Sequence, residues 1–402
     1  MALTSLFNRK LTSNEAAAKS TSLDALTWQR FRKDPLAMVS IVVIGLFTLI
    51  AILGYLITPD HTPYCNQQYL ELATQKPFSK AEFLCVRLPE VAEPIVDPES
   101  EPSTSSLQQE EAPLSDSTRS RRNILHKMLF GESLPYTAIP IFSHEEVGDS
   151  IVIETFTGST PNDGEIQTYA KNDVVDIQTR TFFFGTDGYG RDVLSQIMIG
   201  SRVSLSVGFI AIIIALLIGI LLGSLAAYYG GWVDNVIMWL INVVWSIPTV
   251  LLVIAITFAL GKGFWQVFIA VGLTMWVDIA RVVRGQVFSI KEKEYVEAAR
   301  ALGFSAVRII FRHILPNIFG AVIVVTASNF ASAILLEAGL SFLGIGVQPP
   351  MPSWGSMVKE NYGYILLDSA YLAFIPGIAI MIIVLAFMLL GNGLRNALDI
   401  KN

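Results

Sequence analysis

Charge is what this sequence has little of. Only 15% of its 402 residues are Asp, Glu, Lys or Arg, against about 25% in ordinary soluble domains, which argues against a cytosolic globular protein. There are four histidines, His61, His126, His144 and His313, and none falls inside an apolar run. That leaves no base for an intramembrane nucleophile. The two cysteines, Cys65 and Cys85, with His61 nearby, do not have the spacing of a zinc site. A phosphate cradle of the form G-x-x-x-x-G-K-[ST] is also missing. "GTDGYGRD" (185–192) is Gly-rich but lacks the lysine and reads as a turn. "GLSFLG" (339–344) is no nucleophile elbow, and nothing pairs with Ser341. No enzyme, metal site or resident cofactor is expected of this chain, and its net charge of −6 does not suit nucleic acid.

What the sequence has is apolar length. Hydrophobic residues make up 52%, mean hydropathy is +0.52, and the residues gather in runs of the roughly 20 that a membrane crossing needs. Six spans are expected, at about 37–57, 204–229, 235–260, 264–283, 318–336 and 371–390. The first stands alone and the others form a five-span core over 201–392. The fold class is therefore an all-α polytopic membrane protein. The first run starts too late and is too long for a cleaved signal, so it reads as a retained span. Ahead of it, "TSLDALTWQRFRKDP" predicts a short amphipathic helix ended by Pro35.

Orientation follows from Lys and Arg. Six lie in segment 1–36 and seven between Arg281 and Arg312, so the positive-inside bias places both segments, and the tail 393–402, in the cytoplasm. The loop 58–200 then lies outside. It holds 22 acidic and 10 basic residues, a net of −12, which reads as a solvated surface. Within it, residues 95–123 have the composition of a disordered linker, and β-branched and aromatic enrichment over about 150–184 predicts a small β-rich subdomain. Cys65 and Cys85 share this outer loop. They either pair, at about 3 kcal/mol for a loop of that length, or sit as free thiols; both readings are structural.

The most informative stretch is 291–317, "KEKEYVEAARALGFSAVRIIFRHILPN". It predicts two short helices broken at Gly303, the second capped by Ser305 and cut off from span five by Pro316. Tyr295, Ala298 and Leu302 share one face, and Val307, Ile310 and Phe311 form another stripe. Such a knob suits a groove on a partner protein or a membrane surface. Within the spans, Gly219 and Gly223 form G-x-x-x-G, a close-packing face inside the subunit or toward a second chain. Pro248 and Pro376 predict kinks. Asp278 and Arg281, three apart, read as a local ion pair. Glu337, an ionisable group in a span, is a candidate for the substrate path.

"EAARALG" followed by "ILPN" resembles the EAA loop (E-A-A-x-x-x-G-x9-I-x-L-P) of the membrane subunits of binding-protein-dependent ABC importers. The matching positions are Glu297, Ala298, Ala299, Gly303, Leu315 and Pro316, and His313 stands where the pattern has Ile. "FGTDGYGRDVLSQIMIGSRVSLSVG" (184–208), "YYGGWVDNVIMWLINVVWSIP" (228–248) and "LLEAGLSFLGIGVQPPMPSWGSMV" (335–358) are similar to the dipeptide/oligopeptide permease branch. The resemblance leaves residues 58 to about 180 unexplained. It implies a type I importer fold and a non-catalytic permease subunit carrying di- or oligopeptides. Its implied partners are a second permease chain, one or two ATPase subunits that hold ATP and Mg, an extracytoplasmic peptide-binding protein and the lipids of a bacterial inner membrane. The same machinery also suits nickel complexes or another small solute. An ion-driven secondary transporter would want mid-span charges and inverted repeats, and a sensor would not need five clustered spans.

Overall fold

A capping aspartate and a proline shape the first two helices. The computed structural model describes residues 23–88, 124–158, 160, 163–261 and 263–398; the expected linker at 95–123 lies outside them. Helix α1 (Leu23–Phe31) ends three residues before Asp34, whose carboxylate accepts from the amides of Leu36 and Ala37 at 3.0 and 3.3 Å. Pro35 therefore opens α2 (Pro35–Ile57) instead of closing α1. Its missing N–H is one that a first turn leaves unbonded anyway.

The membrane part follows in order: α4 (Val193–Tyr229), α5 (Gly231–Ser246), α6 (Thr249–Leu260), α7 (Phe264–Lys291), α10 (Leu315–Phe342) and α12 (Tyr371–Leu398). Five helices are long and apolar enough to cross a membrane, or six spans if the bent pair α5–α6 counts as one. The uniform run at 235–260 is thus a broken span, turned by 95° at Ile247–Pro248. A residue before proline resists the helical region, and Ile247 is extended at φ −92°, ψ 130°. Pro376 sits inside α12 without breaking it.

The tightest helix contact is α4 on α7. Ala211, Ala215, Gly219, Gly223 and Ala227 recur every four residues along one face of α4, and all are buried. A Cβ on Gly223 would stand 2.5 Å from the Ala280 carbonyl, and one on Gly219 2.8 Å from that of Trp276. Lipid offers helices no hydrophobic reason to associate, so close van der Waals approach along small residues drives the contact. The G-x-x-x-G face is spent within the subunit.

Outside the spans the chain is not all-α. Strands β1 (Ser79–Arg87), β2 (Tyr136–Val147), β3 (Ser150–Thr155), β4 (Ile166–Ala170) and β5 (Val174–Phe182) form one antiparallel sheet in the order β4-β3-β2-β1-β5. A short helix α3 (Ile124–Phe130) precedes β2. One face buries Phe83, Cys85, Ala138 and Phe182 against Tyr69 and Leu72; the other gathers Leu84, Ile141, Ile151 and Ile153. The expected β region at 150–184 covers only part of this sheet, whose strands β1 and β2 lie before it.

Backbone bonds fasten the sheet to the spans. The Tyr69 amide donates to the Tyr189 carbonyl at 3.0 Å and that of Thr74 to the Asp187 carbonyl at 2.9 Å. The Tyr371 hydroxyl at the start of α12 donates to the Gln75 carbonyl at 2.7 Å. Arg191 closes the joint, donating to Asp187 at 2.7 Å and to Glu360 of α11 (Trp354–Asn361) at 2.6 Å.

Candidate functional site

Between α7 and α10 the chain leaves the bundle as a knob. Helix α8 (Glu294–Ala301) ends in a Schellman arrangement: the Gly303 amide donates to the Arg300 carbonyl at 3.0 Å and the Phe304 amide to that of Ala299 at 3.1 Å. The motif needs a left-handed residue, and Gly303 supplies it at φ +77°. The Ser305 side chain then caps α9 (Ala306–Ile309) by accepting from the Arg308 amide.

The knob has two faces. Val296, Ala299, Ile309, Ile310 and Ile314 are buried in the core that contains Val283 and Val287 of α7. Ile310 thus leaves the outward stripe expected of it. Facing out are Tyr295 (45% exposed), Leu302 (74%), Val307 (64%) and Phe311 (64%), with Glu297 and Ala298 also exposed. Outward apolar groups on a charged loop, set on a rigid base, are the signature of a docking surface.

Pro316 does not detach the knob from the next span. Residues Ile310–Ile314 form a π-helical turn in which the Leu315 amide bonds the Ile310 carbonyl, five residues back. This shift lets Pro316 fall in the first turn of α10, where no amide is needed, and the helix runs unbroken from Ala306 to Phe342. The expected interruption at Pro316 is thereby corrected. Leu315 is half-buried and Pro316 exposed. His313, the departure from the EAA pattern, stacks on Phe304 at 6.1 Å between centroids, and Arg308 covers the same ring at 4.6 Å.

Glu337 is fully buried. Its carboxylate accepts from Ser204 of α4 at 3.0 Å and from Ser341 at 2.7 Å, and the Ser353 hydroxyl donates to Ser341 at 3.4 Å. It ties α4 to α10 and stays off the cavity that its neighbours Leu335 and Leu336 line. That cavity, about 420 Å³, sits in the elbow of the broken span and is walled by Trp245, Thr249, Met275, Asp278 and Ser332 among others. Asp278 and Arg281 are not the ion pair their spacing suggests. Arg281 stacks instead on the Trp245 ring at 3.6 Å. The sequence marked Asp278 only by its charge inside a span; its place on the cavity depends on the α5–α6 break.

Cys65 and Cys85 are both free and buried. Cys65 packs with Tyr55 and Ile199, whereas Cys85 lies in the sheet core with Phe83. The pairing considered for them is corrected, since each thiol belongs to a separate cluster. Burial pushes both thiols above their ordinary range.

Residues 215–401 match the family described as binding-protein-dependent transport system inner membrane component, and residues 22–77 match the N-terminal TM domain of oligopeptide transport permease C. The dipeptide transport system permease protein DppC of Alkalihalophilus pseudofirmus is 42% identical over 219 residues, 54% of this chain and 72% of its own length. The chain belongs to this permease family. It is also 41% identical to the glutathione transport system permease protein GsiD of Pectobacterium atrosepticum over 54% of this chain and 72% of that protein. The oligopeptide transport system permease protein OppC of Bacillus subtilis is 38% identical over 56% and 73%. As a permease of the dipeptide/oligopeptide branch it is a multi-span protein of the inner membrane. The two family matches leave out residues 78–214, which hold the whole sheet.

Proposed function

We propose that this chain is one of two permease subunits of an ATP-driven importer of short peptides and forms half of the translocation pathway. Its knob at 291–317 docks in a groove of a separate ATPase subunit, of which the complex holds one or two. ATP and Mg belong to those subunits; this chain is non-catalytic and carries no cofactor. Both termini lie in the cytoplasm, by the Lys and Arg distribution, and the sheet faces an extracytoplasmic peptide-binding protein.

The observation that carries the reading is the knob's outward apolar face on a base buried against α7. Coupling of a distant ATP site to a pathway needs an element with two positions that nucleotide biases. A knob continuous with α10 is suited to pass its position to the spans. Glu297, Ala298 and Gly303 sit at the joint, Ala299 anchors it, and Leu315 with Pro316 leads into the span. The peptide cargo rests on the dipeptide, oligopeptide and glutathione permeases to which the chain is similar.

The test is to tag the chain, extract it gently and identify what co-purifies. A second polytopic subunit and ATPases are expected. Leu302→Asp or Phe311→Asp, both at exposed positions, should release the ATPases by about thirtyfold or more in affinity, the range of an interface hot spot, at unchanged expression. Recovery of the chain alone, from an extraction that keeps other complexes intact, would overturn the reading.

A further inference from the structure

One wall of the elbow cavity carries a carboxylate. Asp278 is the fifteenth of the 28 residues of α7, five residues before the end of the apolar run 264–283, and it lines the 420 Å³ cavity. Among the described residues it takes part in no ion pair or hydrogen bond. Two other hydroxyls of the wall are already engaged: that of Thr274 donates to Val271 and that of Ser332 to Ser328, each within its own helix. Arg281, the nearest cation on α7, lies over Trp245. An ionised side chain in a span is costly and persists where it faces a pathway or a counter-charge. Here Arg281 acts on Asp278 only from beyond salt-bridge distance, and the cavity leaves space for a closer cation.

We propose that Asp278 is a specificity-determining residue that reads the charge of the translocating solute, receiving a cationic group such as the ammonium of a lysyl side chain. The inference rests on the importer reading and adds to it a preference among cargoes. Trp245 and Met275 supply apolar walls for the remainder of the solute, as small-ligand sites commonly do. The cavity lies at the bend at Ile247–Pro248, with Trp245 lining it on one side of the break and Thr249 on the other.

The complex, reconstituted in proteoliposomes with its own binding protein, is given alanyl-lysyl-alanine and alanyl-glutamyl-alanine, and the ratio of their uptake rates is compared between wild type and Asp278→Asn. Discrimination by the binding protein divides out of that comparison. The lysyl-to-glutamyl ratio should fall by about tenfold in Asp278→Asn, the scale of one partly desolvated charge pair, and Asp278→Glu should preserve it. Slower uptake of both peptides at an unchanged ratio would mean a structural role and overturn the inference. If wild type imports neither peptide while the binding protein still stimulates ATP hydrolysis, the peptide reading itself fails and takes the inference with it.

Discussion

Gly303 and Gly223 are the same residue kept for opposite reasons. Nothing stands within 4 Å of where a Cβ on Gly303 would go, so the constraint there is its φ of +77°, a conformation that costs other L-residues about 1–2 kcal/mol and asparagine less. At Gly223 the backbone is ordinary helix and the constraint is the Ala280 carbonyl at 2.5 Å. Gly223→Val should therefore lower the melting temperature of the purified chain, with overpacking of about 1–3 kcal/mol. Gly303→Asn should leave melting unchanged, while Gly303→Pro should abolish uptake without loss of protein. Equal losses of melting temperature at both positions would contradict this division. The first glycine was legible in the sequence because it ends an amphipathic stretch. The Ala-Gly ladder of α4 was legible only as G-x-x-x-G, since choosing α7 as its partner takes three dimensions.

At the scale of elements, the six apolar runs survive into the structure and their ends do not. Helix α7 continues to Lys291, two turns past its apolar run, because the last turns pack Val287 into the core and rest on a side-chain tie. Arg284 forks onto Asp234 of α5 with two bonds of 2.6 Å, holding the first half of the broken span to α7. Asp234→Ala should cost about 1–3 kcal/mol by leaving a half-buried guanidinium unpaired. Pairing it with Arg284→Met should recover part of that loss, read as a double-mutant cycle in thermal melts. The break at Pro248 was predicted only as a kink, since an even apolar run carries no sign of how far a chain turns. Strands β1 and β2 are not legible in the sequence because β1 is covered on both faces, with Phe83, Leu84 and Cys85 buried in succession, and β2 ends in an exposed stretch, so neither alternates as a half-buried strand does.

Over the whole molecule, a soluble-type sheet is carried on a membrane bundle, and a single guanidinium holds much of the seam. Arg191 and Asp187 are nearly buried, with side chains 11% and 2% exposed, and Glu360 of α11 completes the triad. Breaking a buried ion pair by removing one member costs about 3–5 kcal/mol. Arg191→Ala should loosen the joint between segment 58–78 and the spans, seen as faster limited proteolysis of the outer loop in intact vesicles. A cleavage pattern like that of wild type would show that the bonds of Tyr69, Thr74 and Tyr371 hold the seam without it. The family matches cover α2 and the bundle from residue 215 onward and leave out the sheet, so the sheet can be altered with the matched core as an internal control.

The π-turn that carries the chain through Pro316 makes the knob one end of a rod. From Ala306 to Phe342 the helix has 37 residues, about 55 Å at 1.5 Å per residue. Tilting a rod of that length by about 5° displaces its far end by about 5 Å, roughly the rise of one helical turn. Glu337 and Ser341 lie at that far end and clasp α4. A small nudge at Phe311 therefore reaches the opposite side of the bundle as leverage, with the serine-glutamate clasp as the point where it is delivered.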